Sequence, residues 1–245
     1  MAINPKQFFL FPGSVFLIII LSSCSSNPIL SVNHFQDATI LRPGESKCFI
    51  SYEEALYFQS YITSRTTNDF TKRPFVVTPN YHLGLGHHFE LGAQVLPFTV
   101  FSDGGNFYFK YSDSLSSFSS LGVVALGGVS EATGNDDQAF VLFGQHRMRY
   151  SKASNFGLMV PFTITMKRFA FTISPGMGSY HAYLHDIYTS DNHIVSNYLL
   201  PSVSTDASFN LPLNSFVSFE FCAIQIENAI LGFYGLGFGM KGNPF

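Results

Sequence analysis

Five side chains with metal-binding chemistry fall close together in this 245-residue chain: His181, His185, Asp186, Asp191 and His193. On an extended backbone His181 and His185 share a face, and a loop could return His193 to them as a zinc ion requires. No second ligand pair at metal-like spacing stands elsewhere, so the set reads as a polar surface loop. Glu131, Asn135, Asp136 and Asp137 offer oxygens to calcium without the regular spacing of a calcium loop, and read as a solvated acidic turn. Gly235 to Gly239, GLGFG, has the glycine density of a nucleotide loop. It alternates with Leu and Phe and precedes no helix, so it reads as the small-residue face of a strand. No cofactor and no metal follow from these residues. Of the cysteines Cys24, Cys48 and Cys222, none lies in a CxxC or zinc spacing. In an oxidising compartment Cys48 and Cys222 could bridge the N-terminal segment to a late strand, worth about 2–4 kcal/mol where geometry allows. Two isolated small apolar residues are the alternative, since spacing does not show proximity.

Cys24 has a different context. Lys6 precedes an apolar run from Phe8 to Leu21, interrupted by Pro12, Gly13 and Ser14. That run falls short of the ~20 apolar residues of a spanning helix and has the layout of a secretory leader. Leu21, Ser22, Ser23 and Cys24 resemble the lipobox of bacterial lipoproteins. The resemblance implies that residues 1–23 are a signal peptide and that Cys24 is the first mature residue, diacylated and inserted in membrane lipid. Ser25, where inner-membrane retention would place Asp, implies delivery to the outer membrane.

The composition bears on what such a protein does. Charged residues make up 12% of the chain, against ~25% in an average soluble protein, which leaves little to cover a wet surface. There are 28 Phe and 12 Tyr and no Trp, and the formal net charge is −3. β-formers dominate, and with no basic excess there is no electrostatic footprint for nucleic acid. One all-β domain accommodates this length.

Residues 24–46 carry Pro28 and Pro43 in a polar, mixed stretch and read as a lipidated tether. Residues 47–72 read as an N-terminal segment with a short helix, because Ser51, Tyr52, Glu53 and Glu54 resemble a capping box ahead of helix-friendly residues to Ile62. A strand over Cys48 to Tyr52 competes with that helix.

From residue 73 to 245 the pattern is one of strands. The clearest unit is Tyr81 through Leu96. Tyr81, Leu83 and Leu85 alternate with His82, Gly84 and Gly86, and beyond a polar tip Phe89, Leu91, Ala93 and Val95 alternate with Glu90, Gly92 and Gln94. This is a hairpin with one greasy side and one small or polar side. About ten strands are expected (8 to 12), including Gln138 to Ser151 and Asn155 to Met166 as separate strands. Several reach the ~9–11 residues of a tilted membrane strand. With the greasy face on lipid, Glu90, Lys110, Arg147, Arg149 and Glu220 face a lumen. Phe89, Phe107, Phe156, Phe169 and Phe216 each follow a tip, and are expected at similar depth in an aromatic girdle. Glycine pairs inside strands are expected to mark bulges and tight coiling.

These repeated hairpins, and a chain ending on Phe245, resemble bacterial outer-membrane β-barrel proteins over roughly Phe75 to Phe245. The resemblance implies a closed antiparallel up-and-down barrel in the outer membrane, its exterior in contact with lipid. A ten-stranded lumen is mostly filled by side chains, so the role expected is structural, small-pore or envelope-related, without catalysis. Two other readings stay open. One is a lipid-anchored soluble periplasmic barrel or sandwich with an apolar interior for a hydrophobic ligand. The other is a lipid-modifying barrel enzyme: His193, Ser196 and Asn197 in NHIVSN faintly resemble the HxSN arrangement of lipid A deacylases, but the one-residue slip puts Ser196 on the strand face opposite His193.

Overall fold

The computed structural model describes residues 29–60, 68–95, 102–135, 148–186, 193–226 and 229–242. They form twelve strands: β1 (Ile29–Ser31), β2 (Ser46–Ser60), β3 (Asn68–Gly86), β4 (Phe89–Val95), β5 (Ser102–Ser114), β6 (Ser119–Asn135), β7 (Met148–Met159), β8 (Phe162–Met166), β9 (Phe169–Asp186), β10 (His193–Asn210), β11 (Ser215–Ile226) and β12 (Ala229–Gly242). Every pairing is antiparallel between neighbours in sequence, and β2 closes the ring by pairing with both β3 and β12. β7 and β8 are one stave, since both lie between β6 and β9. The break falls at Val160 and Pro161, where Pro161 has no N–H to donate, and the stave is carried through it by Val160 N donating to Pro175 O and Gly122 N to Pro161 O, both at 2.9 Å. The result is a closed barrel of ten staves.

The strand count matches expectation, but one stave differs. Residues 148–151 of the expected strand Gln138 to Ser151 belong to β7, and its earlier part lies outside the described residues. The tenth stave is β2, which replaces the expected helix. In β2, Cys48, Ile50 and Tyr52 point out while Phe49, Ser51 and Glu53 point in, with a bulge between Glu53 and Ala55. The apparent capping box is therefore a strand whose inward face carries an aromatic residue and an acid. Both faces being mixed is what concealed the period.

The connections alternate as well. Tight tips at His87, Lys167 and Asn214 and the longer intervals show no consistent order along the sequence, and the ring sorts them with one exception, the two-residue interval 227–228. At one rim the strands join through 87–88, 115–118, 167–168 and 211–214; at the other through 61–67, 96–101, 136–147, 187–192 and 227–228.

The apolar face points outward. Phe107 is 70% exposed and Phe156 60%, and both pair with Gly127 on the strand between them. They sit at mid-height, whereas Phe89 and Phe169 sit at the short-turn rim beside Tyr111 and Phe209. Phe216 corrects the expected girdle: it is buried inside, since Val217 and Phe219 take the outward positions of β11 and put their neighbour in the lumen.

The expected tether is also corrected. Val32, Asn33, His34, Phe35, Gln36, Asp37 and Ala38 are buried, and their partners come from β2, β4, β5, β8, β11 and β12. Staves spaced around a ring can be reached together only from its inside. The segment enters beside β2, where β1 pairs Ile29 with Tyr57 and Ser31 with Ala55. It leaves at the short-turn rim, where Gly44 N donates to Gly84 O and Gly84 N to Glu45 O, both at 2.9 Å.

Gly84 is the point of closest approach. A Cβ there would lie 2.3 Å from the Arg42 carbonyl oxygen and 2.8 Å from that of Leu41, both backbone atoms that cannot swing aside. Gly84→Ala is expected to cost about 1–3 kcal/mol by overpacking. Gly127→Ala, whose Cβ meets nothing nearer than 3.9 Å, is the control and should be neutral or better in urea titrations of the refolded barrel.

Candidate functional site

The lumen holds the polar chemistry of the molecule, and the segment from Ile29 to Leu41 is built into it. Near the short-turn rim, Asp37 lies between two lysines of the wall. Lys47 Nζ is 3.3 Å from Asp37 Oδ2 and Lys110 Nζ 3.8 Å from Asp37 Oδ1. Lys110 also donates to the carbonyls of Asp37 and Thr39 at 3.1 and 3.2 Å, and pairs with Glu90 at 2.7 Å. His82 Nδ1 lies 2.8 Å from the other Glu90 oxygen. All these groups are buried, and buried charges persist only when paired. Lys47 further sits over the rings of Phe49 and Phe216, at 5.2 and 4.9 Å from their centroids.

Halfway along, Glu53 accepts hydrogen bonds from Ser31 Oγ, Thr78 Oγ1 and Gln94 Nε2, each at 2.9 Å. Gln94 Oε1 in turn accepts from Asn106 at 2.9 Å and from the Tyr108 hydroxyl at 2.7 Å. Two staves from Glu53, across β12, Glu220 accepts the Phe35 backbone N–H, and on β8 Thr163 Oγ1 accepts from Ala38 N at 2.7 Å. Asn33 Nδ2 reaches the Glu54 and Tyr234 carbonyls at 3.1 and 3.3 Å. The segment has little regular secondary structure, so wall side chains satisfy backbone and side-chain groups that a strand would satisfy with its neighbours.

Two apolar seats complete the fit. Val32 packs with Leu56, Tyr180, Leu200, Ile224 and Phe233. Phe35 packs edge-on against Phe49, centroids 5.6 Å apart, in a cluster with Phe216. Gly235 and Gly237 make room for it: a Cβ on Gly235 would come within 2.7 Å of the Phe35 ring. Gly235 and Gly237 of β12 are thus sockets for the segment, while the pair Gly84 and Gly86 does coincide with a register shift.

Of the residues singled out from the sequence, Glu90, Lys110 and Glu220 meet in this lumen. Arg147 and Cys24 lie outside the described residues, and Arg149 lies on β7 with its side chain outside them. Cys48 and Cys222 are both free. Cys48 points outward and Cys222 inward, so the barrel wall separates the two thiols, and of the two alternatives the structure shows the isolated cysteines and not the bridge. His181 is exposed on β9; His185 and His193 are register partners on β9 and β10, with side chains outside the described set, and Asp191 lies outside it. Among the described residues no group of three acidic, His or Cys side chains gathers as a metal site. Glu131 pairs with Lys152 at 2.7 Å, Asn135 ends β6, and Asp136 and Asp137 lie outside the described residues. His193 and Ser196 lie on β10, three positions apart.

Asp37, Lys47, Glu53 and Tyr108 were not anticipated from the sequence. The available signal was Asn33, His34, Gln36 and Asp37 crowded around Phe35, an aromatic residue a solvated tether has no use for.

No protein-family model matches the chain, and no curated protein does. Solved structures do. The Ail attachment invasion locus protein of Yersinia pestis is 12% identical, with 82% of this chain and 100% of that one covered and a TM-score of 0.40. The outer membrane protease OmpT of Escherichia coli is 10% identical over 80% and 95%, TM-score 0.45. The translocator domain of autotransporter NalP from Neisseria meningitidis is 7% identical over 80% and 87%, TM-score 0.45. At these identities the similarity is one of fold. The barrel itself rests on this chain's own strand pairing.

Proposed function

We propose that this chain is a sealed β-barrel of the bacterial outer membrane, lipid-anchored at Cys24, with a structural or envelope role and no catalysis. The observation that carries the reading is the distribution of polarity. Phe107, Phe156, Leu158, Leu199 and Phe238 look outward, while Glu53, Glu90, Lys110 and Glu220 are buried inside. Lipid, and not water, is the solvent for such an exterior. A soluble barrel holding a hydrophobic ligand needs the reverse arrangement, with the apolar face enclosed.

Among the roles open to a small barrel, the filled lumen favours closure over conduction. Asp37, Phe35 and Val32 occupy the space that ions would cross. The intact protein in a planar lipid bilayer is expected to give no stepwise conductance, and to change gel mobility on heating. Discrete channel openings would overturn the sealed reading, and a folded, buffer-soluble Cys24→Ser variant lacking its leader would overturn the membrane reading. Labelled palmitate should enter the wild type and not Cys24→Ser. An unchanged lipid A profile in His193→Ala and Ser196→Ala strains fits the non-catalytic role, and a changed one refutes it.

A further inference from the structure

We propose that the barrel passes its own N-terminal chain through its lumen, so that the two ends of the folded domain lie on opposite faces of the membrane. The proposal rests on the membrane reading above and extends it to topology.

The direction of the segment carries the argument. β1 pairs antiparallel with β2, Ile29 opposite Tyr57, close to the end of β2 at Ser60. The start of β2 lies at the other rim, where Ser46 pairs with Gly242 at the end of β12. Between Ile29 and the turn at Arg42 to Glu45 the chain is held inside by Glu53, Glu220, Thr163 and Lys110 in succession. From Ser46 to Tyr57 a tilted strand climbs on the order of 30 Å, and residues 29–41 extended cover up to about 45 Å. The segment is long enough to cross a hydrocarbon core, and it crosses in the direction opposite to β2.

The side follows from the connections. The rim that holds Gly242 carries the short turns 87–88, 115–118, 167–168 and 211–214. In bacterial barrels the short turns face the periplasm. The chain before Ile29 then belongs to the outer face, with the four longer connections and the two-residue one at 227–228. This sharpens what lipidation would mean. Cys24 stands five residues before Ile29, a reach of about 18 Å at most. That is too short to return across a hydrocarbon core of about 30 Å. Acyl chains on Cys24 are held in the outer leaflet, and the anchor is displayed at the cell surface.

The test compares three peptide tags in the full chain, inserted between Pro28 and Ile29, within 115–118, and at 227–228. Antibody binding is read on intact and permeabilised cells. The tags before Ile29 and at 227–228 are expected to bind at least tenfold better on intact cells than the tag in 115–118, which becomes accessible after permeabilisation. An N-terminal tag that behaves like the one in 115–118, while 227–228 differs from both, overturns the threading and leaves the membrane reading standing. Equal accessibility of 115–118 and 227–228 overturns the membrane reading and the threading with it. Should a tag prevent insertion, the paired substitution Ser31→Cys and Ala55→Cys supplies an independent measurement. These residues are register partners at a Cα separation suited to a disulfide. A reducible cross-link in the folded barrel is expected, and its absence overturns the proposal.

Discussion

Replacing Asp37 with alanine is expected to destabilise the barrel by about 3–5 kcal/mol, the cost of removing one partner from a buried ion pair. The carboxylate faces Lys47 at 3.3 Å and Lys110 at 3.8 Å. Lys110 keeps Glu90 at 2.7 Å, but Lys47 loses its direct ion pair and keeps the faces of Phe49 and Phe216 and the longer-range attraction of Asp206 and Glu90. The loss should therefore concentrate on Lys47. In Lys47→Met the charge is absent, and adding Asp37→Ala to it should cost much less than in the wild type, a coupling of the size expected for residues in contact. Urea midpoints of the refolded protein, read by the folded band on unheated gels, measure all four proteins. Additive effects, or an Asp37→Ala cost below about 0.5 kcal/mol, the range of ordinary surface substitutions, would remove Asp37 from the lumen.

The difference between what was legible in the sequence and what was not lies in the range of the interactions. In the hairpin of β3 and β4, Tyr81 pairs with Ala93 and Leu83 with Leu91, and the faces read from alternation are the faces observed. Side-chain direction in a strand is a local property with a period of two, and a bilayer accepts one face and rejects the other. Glu90, Lys110 and Glu220 were legible for that reason. The lumen segment was not, because its partners are remote. Asn33 reaches Gln94 across 61 positions, Glu220 receives Phe35 across 185, and Tyr234 receives Asn33 across 201. No periodicity marks such a segment, since its conformation answers to the wall and not to a ladder of its own. Phe35 even holds a backbone φ of 49°, a left-handed turn that no strand or helix would use. The strand β2 was obscured by a related cause. Its inward face carries Phe49 to meet Phe35 and Phe216, so an aromatic residue stands where a polar lumen residue would be expected.

Phe35 is where that unread segment can be tested most directly. It is 1% exposed, and Phe35→Ala is expected to cost about 3–5 kcal/mol through lost burial and the cavity left behind. The size alone does not say where the ring sits, but Gly235 does. A methyl group at Gly235 would meet the Phe35 ring at 2.7 Å and Asn33 Cβ at 3.2 Å, so Gly235→Ala in the wild type should destabilise by about 1–3 kcal/mol. In the Phe35→Ala background the ring is gone, the methyl keeps only the 3.2 Å contact with Asn33, and the same substitution should lose most of its cost. A glycine in a strand with nothing packed on it behaves differently, since its replacement by alanine stabilises by roughly 0.5–1 kcal/mol whatever residue 35 is. A cost at Gly235 that mostly vanishes with the ring therefore requires Phe35 to lie against the inner wall of β12. A gain in both backgrounds would mean the lumen is empty at that height.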